Sequence, residues 1–169
     1  MDKKLFLGGS KSYLWITEEE WQCVEVYLDQ NWHILIGDCR GTDRLLQHRL
    51  DSIGYKNVTI YATDGQARYN VGHWPVVAVP APHEEKDYDY YRCKDRAMAQ
   101  AADDALMFWD GESKGTIQNV FDVVMQKKKA TIVRRPLGAV RLYLRKSGEE
   151  KECSDTTMPT LPDEGQEIV

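Results

Sequence analysis

Several short stretches of the chain set residues that do chemistry beside glycines that let a ligand come close. They are "GGS" at residues 8–10, "GDCRGTD" at 37–43, "TDGQARYN" at 63–70 and "DGESKGT" at 110–116. Glycine admits a ligand to the backbone, and the first turn of a helix offers unpaired N–H groups with a partial positive charge, so a phosphate suits such loops. Glycines also follow strands wherever the chain must turn, so one loop of this kind says little. Three of them on one sheet edge would point to a ligand. Asp38 and Asp110 each directly follow an apolar run, which is expected to bring both carboxylates, and Asp43 with the same loop as Asp38, into one crevice. Paired carboxylates are the groups that cleave glycosidic bonds, although aspartate after a strand also forms Asx turns.

Arg68 and Asn70 flank Tyr69, a combination that reads either as a contact to a phosphate or base edge with a ring to stack on, or as a solvated loop. Trp74 and Trp109 are further rings that could stack on a base. Lys94 and Asp95 fall in the middle of a helical stretch, where Asp95 is one turn from Met98; the pair is either a carboxylate facing the crevice or a surface ion pair contributing at most about 1 kcal/mol. Cys39 beside Asp38 has no histidine near it in sequence and reads as a passive thiol. His33, His48, His73 and His83 share no ligand spacing with one another or with the cysteines, so no metal and no cofactor is expected. The order G-x-G-x-x-G is absent, and Lys114 does not sit in G-x-x-x-x-G-K-[ST]; hydride transfer and nucleoside triphosphate hydrolysis lose their usual support.

The elements that must hold these residues follow from apolar periodicity. Residues 5–7, 32–36, 58–62, 105–109 and 130–133 form short apolar runs without polar alternation, as strands buried on both faces do. Thr17 with Glu20 has the form of a capping box, so a helix is expected from Glu18 to about Gln30. Thr42 is expected to cap a second helix, with Leu45, Leu46, Arg49, Leu50 and Ile53 on one side and Gly54 ending it. Residues 84–103 read as a third helix. A fourth carries Ile117, Val120, Phe121, Val124 and Met125 at i, i+3, i+4, i+7, i+8. Residues 75–79 are expected to add a strand, and 140–144, where apolar and polar residues alternate, an edge strand. Strands separated by amphipathic helices indicate a doubly wound, mostly parallel Rossmann-like α/β sheet of about five core strands with helices on both faces. Its ligand crevice lies beyond the carboxyl ends of the strands, where the glycine loops converge.

At 169 residues the chain suits one domain, 1–146, with a tail. The formal charge of −5 is concentrated at the end: residues 147–169 hold seven acidic residues and one lysine, and few large apolar ones, a composition expected to be mobile. The rest is close to neutral and has no basic stripe for duplex nucleic acid. There is no secretory leader pattern and no window of about 20 apolar residues for a membrane span. The four scattered cysteines form no CxxC pair, so a reduced, cytoplasmic setting is expected. A homodimer is compatible with this class, although no helix face stands out as its seam. The acidic tail offers a third reading, a partner-binding segment beside a vestigial crevice.

The segments "LFLGGS", "LIGDCRGTD", "KDRAM" and "MFWDGESKGT", in this order and spacing, resemble the SLOG superfamily, and most nearly its small YspA-related branch. The likeness covers about residues 5–133, and the W-D-G-x-S-K-G-T turn together with the G-D-x-R-G-T-D loop is its specific part. It implies a Rossmann-like sheet that binds a nucleotide or nucleotide-derived molecule, in some members as an enzyme that cleaves N-glycosidic bonds. On that resemblance Gly8, Gly9, Ser10, Gly37, Asp38 and Gly41 hold one part of the ligand, and Ser113, Gly115 and Thr116 its phosphate. The cleaving members carry G-T-x-x-E, whereas Gly115-Thr116 here leads to Asn119. An amide can hydrogen-bond a ribose hydroxyl but cannot act as nucleophile or general base. The expectation is therefore a ligand-binding protein. The alternative, an N-glycosidase acting on a nucleoside 5'-monophosphate or similar to the deoxyribosyltransferases, needs a carboxylate from Asp38, Asp95 or Asp110.

Overall fold

The computed structural model describes residues 2–134 and 138–142, the last five as backbone. The tail expected from residue 147, and the last two residues of the expected edge strand, lie outside the described residues. The elements follow the order β1 (Lys4–Gly9), α1 (Glu18–Leu28), β2 (His33–Gly37), α2 (Thr42–Ser52), β3 (Val58–Thr63), β4 (Val76–Val79), α3 (Tyr88–Ala101), β5 (Asp104–Trp109), α4 (Lys114–Val124), β6 (Lys129–Arg134) and β7 (Gly138–Leu142).

The strands form one sheet in the order β4-β3-β2-β1-β5-β6-β7. All neighbours are parallel except β7, which runs antiparallel to β6. The chain thus winds outward from β1 to β4, then crosses to β5 on the other side of β1. That reversal is a topological switch point, and in open α/β sheets the ligand crevice lies there, beyond the carboxyl ends of the strands. Gly8 and Gly9 pair with Met107 and Phe108 at this point, so the two glycines end β1 inside the sheet rather than in the loop after it.

Alternate residues along each strand feed two cores. Leu5, Leu7, Ile34, Ile36, Ile60, Leu106 and Phe108 pack with Trp21 and Val24 of α1 and Leu46 and Leu50 of α2. Phe6, Leu35, Ala105, Met107 and Ile132 pack with Met98 and Ala99 of α3 and Val120 and Val123 of α4. Helices therefore cover both faces, as the doubly wound reading requires.

Local chemistry sets the helix ends. Thr17 accepts from the Glu20 N–H while the Glu20 carboxylate accepts from the Thr17 N–H, the reciprocal capping box expected for α1. The cap of α2 differs from expectation: it is Gly41, at φ +83°, a conformation that favours glycine, while Thr42 is the first helical residue and donates its hydroxyl to the Ser10 carbonyl at 2.7 Å. Thr42 is thereby drawn away from capping and ties α2 to the end of β1. The third helix starts at Tyr88, capped by Asp87, four residues later than its composition suggests. In α4 the buried stripe is Thr116, Val120 and Val123, whereas Phe121 and Met125 are exposed. Ile53 of the expected α2 face is exposed as well.

Candidate functional site

Among the described residues, cavities open at the carboxyl edge of the sheet. The central one, about 340 Å3, lies at the switch point, lined by the end of β1 (Phe6, Gly8, Gly9), the loop after it (Lys11, Ser12), Cys39 and Asp43, by Tyr88, Lys94, Asp95 and Met98 of α3, and by Ser113, Gly115, Thr116 and Asn119. The second, about 320 Å3, lies beyond β3 and includes Asp38, Asp64, Arg68 and Tyr91. Of the residues singled out by sequence, Gly8, Gly9, Asp43, Asp95, Ser113, Gly115, Thr116 and Asn119 meet in the central cavity.

The remaining ones stand behind it or beside it. Ser10 is buried and forms a hub: its hydroxyl bonds that of Thr116 at 3.0 Å and accepts from the Asp110 N–H at 3.2 Å. Asp110 does not reach the crevice. Its carboxylate accepts from the N–H groups of Glu112 and Ser113 at 3.0 and 2.7 Å and from the Ser12 hydroxyl, forming an Asx turn that ends before the first helical residue of α4, Lys114. These bonds outweigh burial and hold its pKa below the ordinary carboxylate value. The expectation that Asp38 and Asp110 share one crevice is thus corrected: Asp38 lines the second cavity, paired with Arg68.

Asn70 clamps its own loop, accepting from the Trp74 N–H and donating to the Trp74 carbonyl, at 2.9 and 2.8 Å. Trp74 is buried, with its indole N–H on the Tyr55 carbonyl, and is not available to stack. The Tyr69 ring lies under the Arg44 guanidinium and Trp109 under that of Arg134. Gly41 is pressed against the Lys11 backbone and serves the turn.

The feature that sequence reading left outside the site is Lys94. Its side chain is 2% exposed, with Nζ 2.9 Å from Asp95 Oδ1 and 3.7 Å from Asp38 Oδ1. A Cβ on Gly37 would stand 2.5 Å from Asp43 Oδ2 and 2.8 Å from Lys94 Nζ, so Gly37 is the residue whose bareness lets the lysine and the aspartate approach. The sequence signal was present: Lys94 is four residues before the buried Met98, the same helix face, a position where a lysine is costly unless carboxylates await it.

The electrostatics follow from this packing. Burial works against the Lys94 ammonium, but Asp95, Asp43 and Asp38 around it prevail and hold its pKa above the ordinary lysine value. Burial likewise works to raise Asp38, and is outweighed by Arg68, which donates from its backbone N–H, Nε and Nη2 at 3.0, 3.1 and 2.9 Å; Asp38 stays ionised. Asp43 is different. Burial pushes its carboxyl up to about 6 against the pull of Lys94, with Asp95 adding to the rise. Burial also raises the Cys39 thiol, opposite to what an activated nucleophile requires.

The part of the cavity wall that α4 contributes has the opposite character. The helices α1 and α3 are capped by side chains, but α4 has no side-chain cap bond and no acidic residue in its first turn. Gly115, its second residue, would meet nothing within 4 Å if it carried a Cβ. A helix interior disfavours glycine relative to alanine by about 1 kcal/mol, and no neighbour here demands it. Asn119, one turn on, has its Oδ1 buried without a hydrogen-bond partner in the structure. Among the described residues no group of three or more His, Cys, Asp or Glu is placed to hold a metal ion, and no helix is long and apolar enough to cross a membrane. The chain matches no family model, no curated protein and no solved structure.

Proposed function

We propose that this domain binds a nucleotide or nucleotide-derived small molecule in the central cavity, with its phosphate on the first turn of α4. The observation that carries the reading is the polarity of the cavity. Its wall carries both the N-terminus of α4, which has no side-chain cap bond and open space over Gly115, and the carboxyl groups of Asp43 and Asp95 around Lys94. Helix N-termini favour anions, while carboxylates and the unpartnered Asn119 carbonyl accept from hydroxyl or amino groups. A ligand with a phosphate at one end and sugar hydroxyls beyond it satisfies both. The volume is near the lower limit of about 300–1000 Å3 for small-molecule sites and suits a mononucleotide. The likeness of the glycine-loop motifs to the SLOG superfamily supports the same reading.

Calorimetric titration with a panel of nucleoside phosphates and nucleotide sugars tests it. Binding of at least one phosphate-bearing member is expected; no heat from any of them at millimolar concentration, with the protein folded, contradicts it.

A second reading, cleavage of an N-glycosidic bond, is favoured by one observation: Asp95 and Asp43 line the same cavity as Gly115, and Asp43 holds its proton to about pH 6, as a general acid would. Asp95 takes the role that the absent glutamate leaves open. Free base released from nucleoside 5'-monophosphates by the wild type and not by Asp95→Asn would establish it; no release from any of the four common bases removes it.

A further inference from the structure

We infer that Tyr88 is the stacking shelf for a heteroaromatic ring in the central cavity, so that the ligand is recognised with its base and not as a sugar phosphate alone. The inference rests on the mononucleotide reading above and adds a residue for the base. The apolar side chains on the cavity wall are Phe6 and Met98, both buried, and, nearly three turns before Met98 at the start of α3, Tyr88, which is 57% exposed.

An exposed tyrosine at a helix start is ordinarily loose, but this ring is held. Arg92, one turn along α3, stands 5.6 Å from its centroid and donates from Nη1 to its hydroxyl at 3.4 Å. Arg92 is itself 3% exposed and pairs through Nη2 with Asp122 of α4. Burying a guanidinium is costly, and here it is not fully compensated, because its Nε has no hydrogen-bond partner in the structure. What the burial secures is the position of the Tyr88 ring. Tyr69, Trp109 and Tyr91 each carry an arginine on the ring as Tyr88 does, but none of the three lines the central cavity. Tyr88 combines a fixed ring, an exposed surface and a place on the cavity wall. Stacking of a base on such a ring strengthens binding by roughly ten- to a hundredfold.

The test compares ligands with and without a base. The full chain, Tyr88→Ala and Tyr88→Phe are titrated with the adenosine, guanosine, cytidine and uridine 5'-monophosphates and with ribose 5-phosphate, and each variant is melted to confirm its fold. In Tyr88→Ala the best-bound nucleotide is expected to weaken about tenfold or more, with ribose 5-phosphate within about twofold of wild type; Tyr88→Phe, which keeps the ring, retains binding. An equal loss for both ligand types would make Tyr88 a clamp between α3 and α4 only, and no loss would remove it from the site; either overturns the inference while leaving the site in place. Wild type that binds neither nucleotide nor ribose 5-phosphate overturns the site and the shelf together.

Discussion

Lys94 occupies a helix position that a sheet-packed face ordinarily gives to an apolar side chain, and the cluster around it explains how a charge survives there. Asp38, Asp43 and Asp95 approach it from the loop after β2, the first turn of α2 and its own helix, and the bare backbone of Gly37 leaves them room. The consequence at the residue scale is a pH dependence owed to Asp43. Its folded pKa of about 6 lies above its ordinary 3.8, so the native state holds the proton more tightly than the unfolded chain. Stability therefore falls as pH rises from about 4 through 6, by roughly 3 kcal/mol in all, and the loss is complete above that window. Asp43→Asn removes the titration while keeping an acceptor for the Cys39 N–H. Denaturant unfolding across pH should show it more stable than wild type at pH 8, with the difference closing below about pH 4; a difference independent of pH would contradict the assignment. Much of this scale was legible in the sequence as types and positions: Gly8, Gly9, Asp43, Asp95, Ser113, Gly115, Thr116 and Asn119 do share a wall. What was not legible is direction. Asp38 and Asp110 both follow strands, yet Asp38 turns to Arg68 and Asp110 to its own turn, because the nearest donors, not the strand ends, decide where a carboxylate points.

At the scale of the element, α4 joins the fold to its proposed function. Its hydrophobic spacing identified a helix correctly, but the buried residues are Thr116, Val120 and Val123, with Phe121 and Met125 exposed. Periodicity reports where the apolar side chains of a helix lie, not how far its neighbours extend to cover them. The capping box of Thr17 and Glu20 was legible because both partners lie within one turn; the glycine cap of α2 was not, because Thr42 is claimed by the Ser10 carbonyl, 32 residues away. Gly115 is the sharpest probe of this element. With nothing crowding it, Gly115→Ala should keep the fold and raise stability by up to about 1 kcal/mol through helix propensity. Placing a methyl group on the cavity wall beside the free N–H groups, it should weaken binding of a nucleoside 5'-monophosphate tenfold or more. A variant that melts higher and binds as tightly as wild type would free Gly115 from any role in the site.

For the whole molecule, alternation of strands and helices in the sequence leads to a doubly wound sheet, since short apolar runs and amphipathic helices have few other ways to bury their faces. The order β4-β3-β2-β1-β5-β6-β7 was not legible, because the crossing from β4 to β5 is a long-range choice that no local signal announces. That crossing places β1 beside β5 and so brings Gly8, Gly9 and the α4 N-terminus to one crevice. It also sets the second cavity apart, with Arg68 committed to Asp38 and not to the central ligand. The central claim is therefore one of place. The crystal structure of the protein with a nucleoside 5'-monophosphate measures it directly: phosphate oxygens are expected within hydrogen-bond distance of the Gly115 and Thr116 N–H groups, and a phosphate bound instead at Arg68, or anywhere else with the α4 N-terminus left open, would contradict the account.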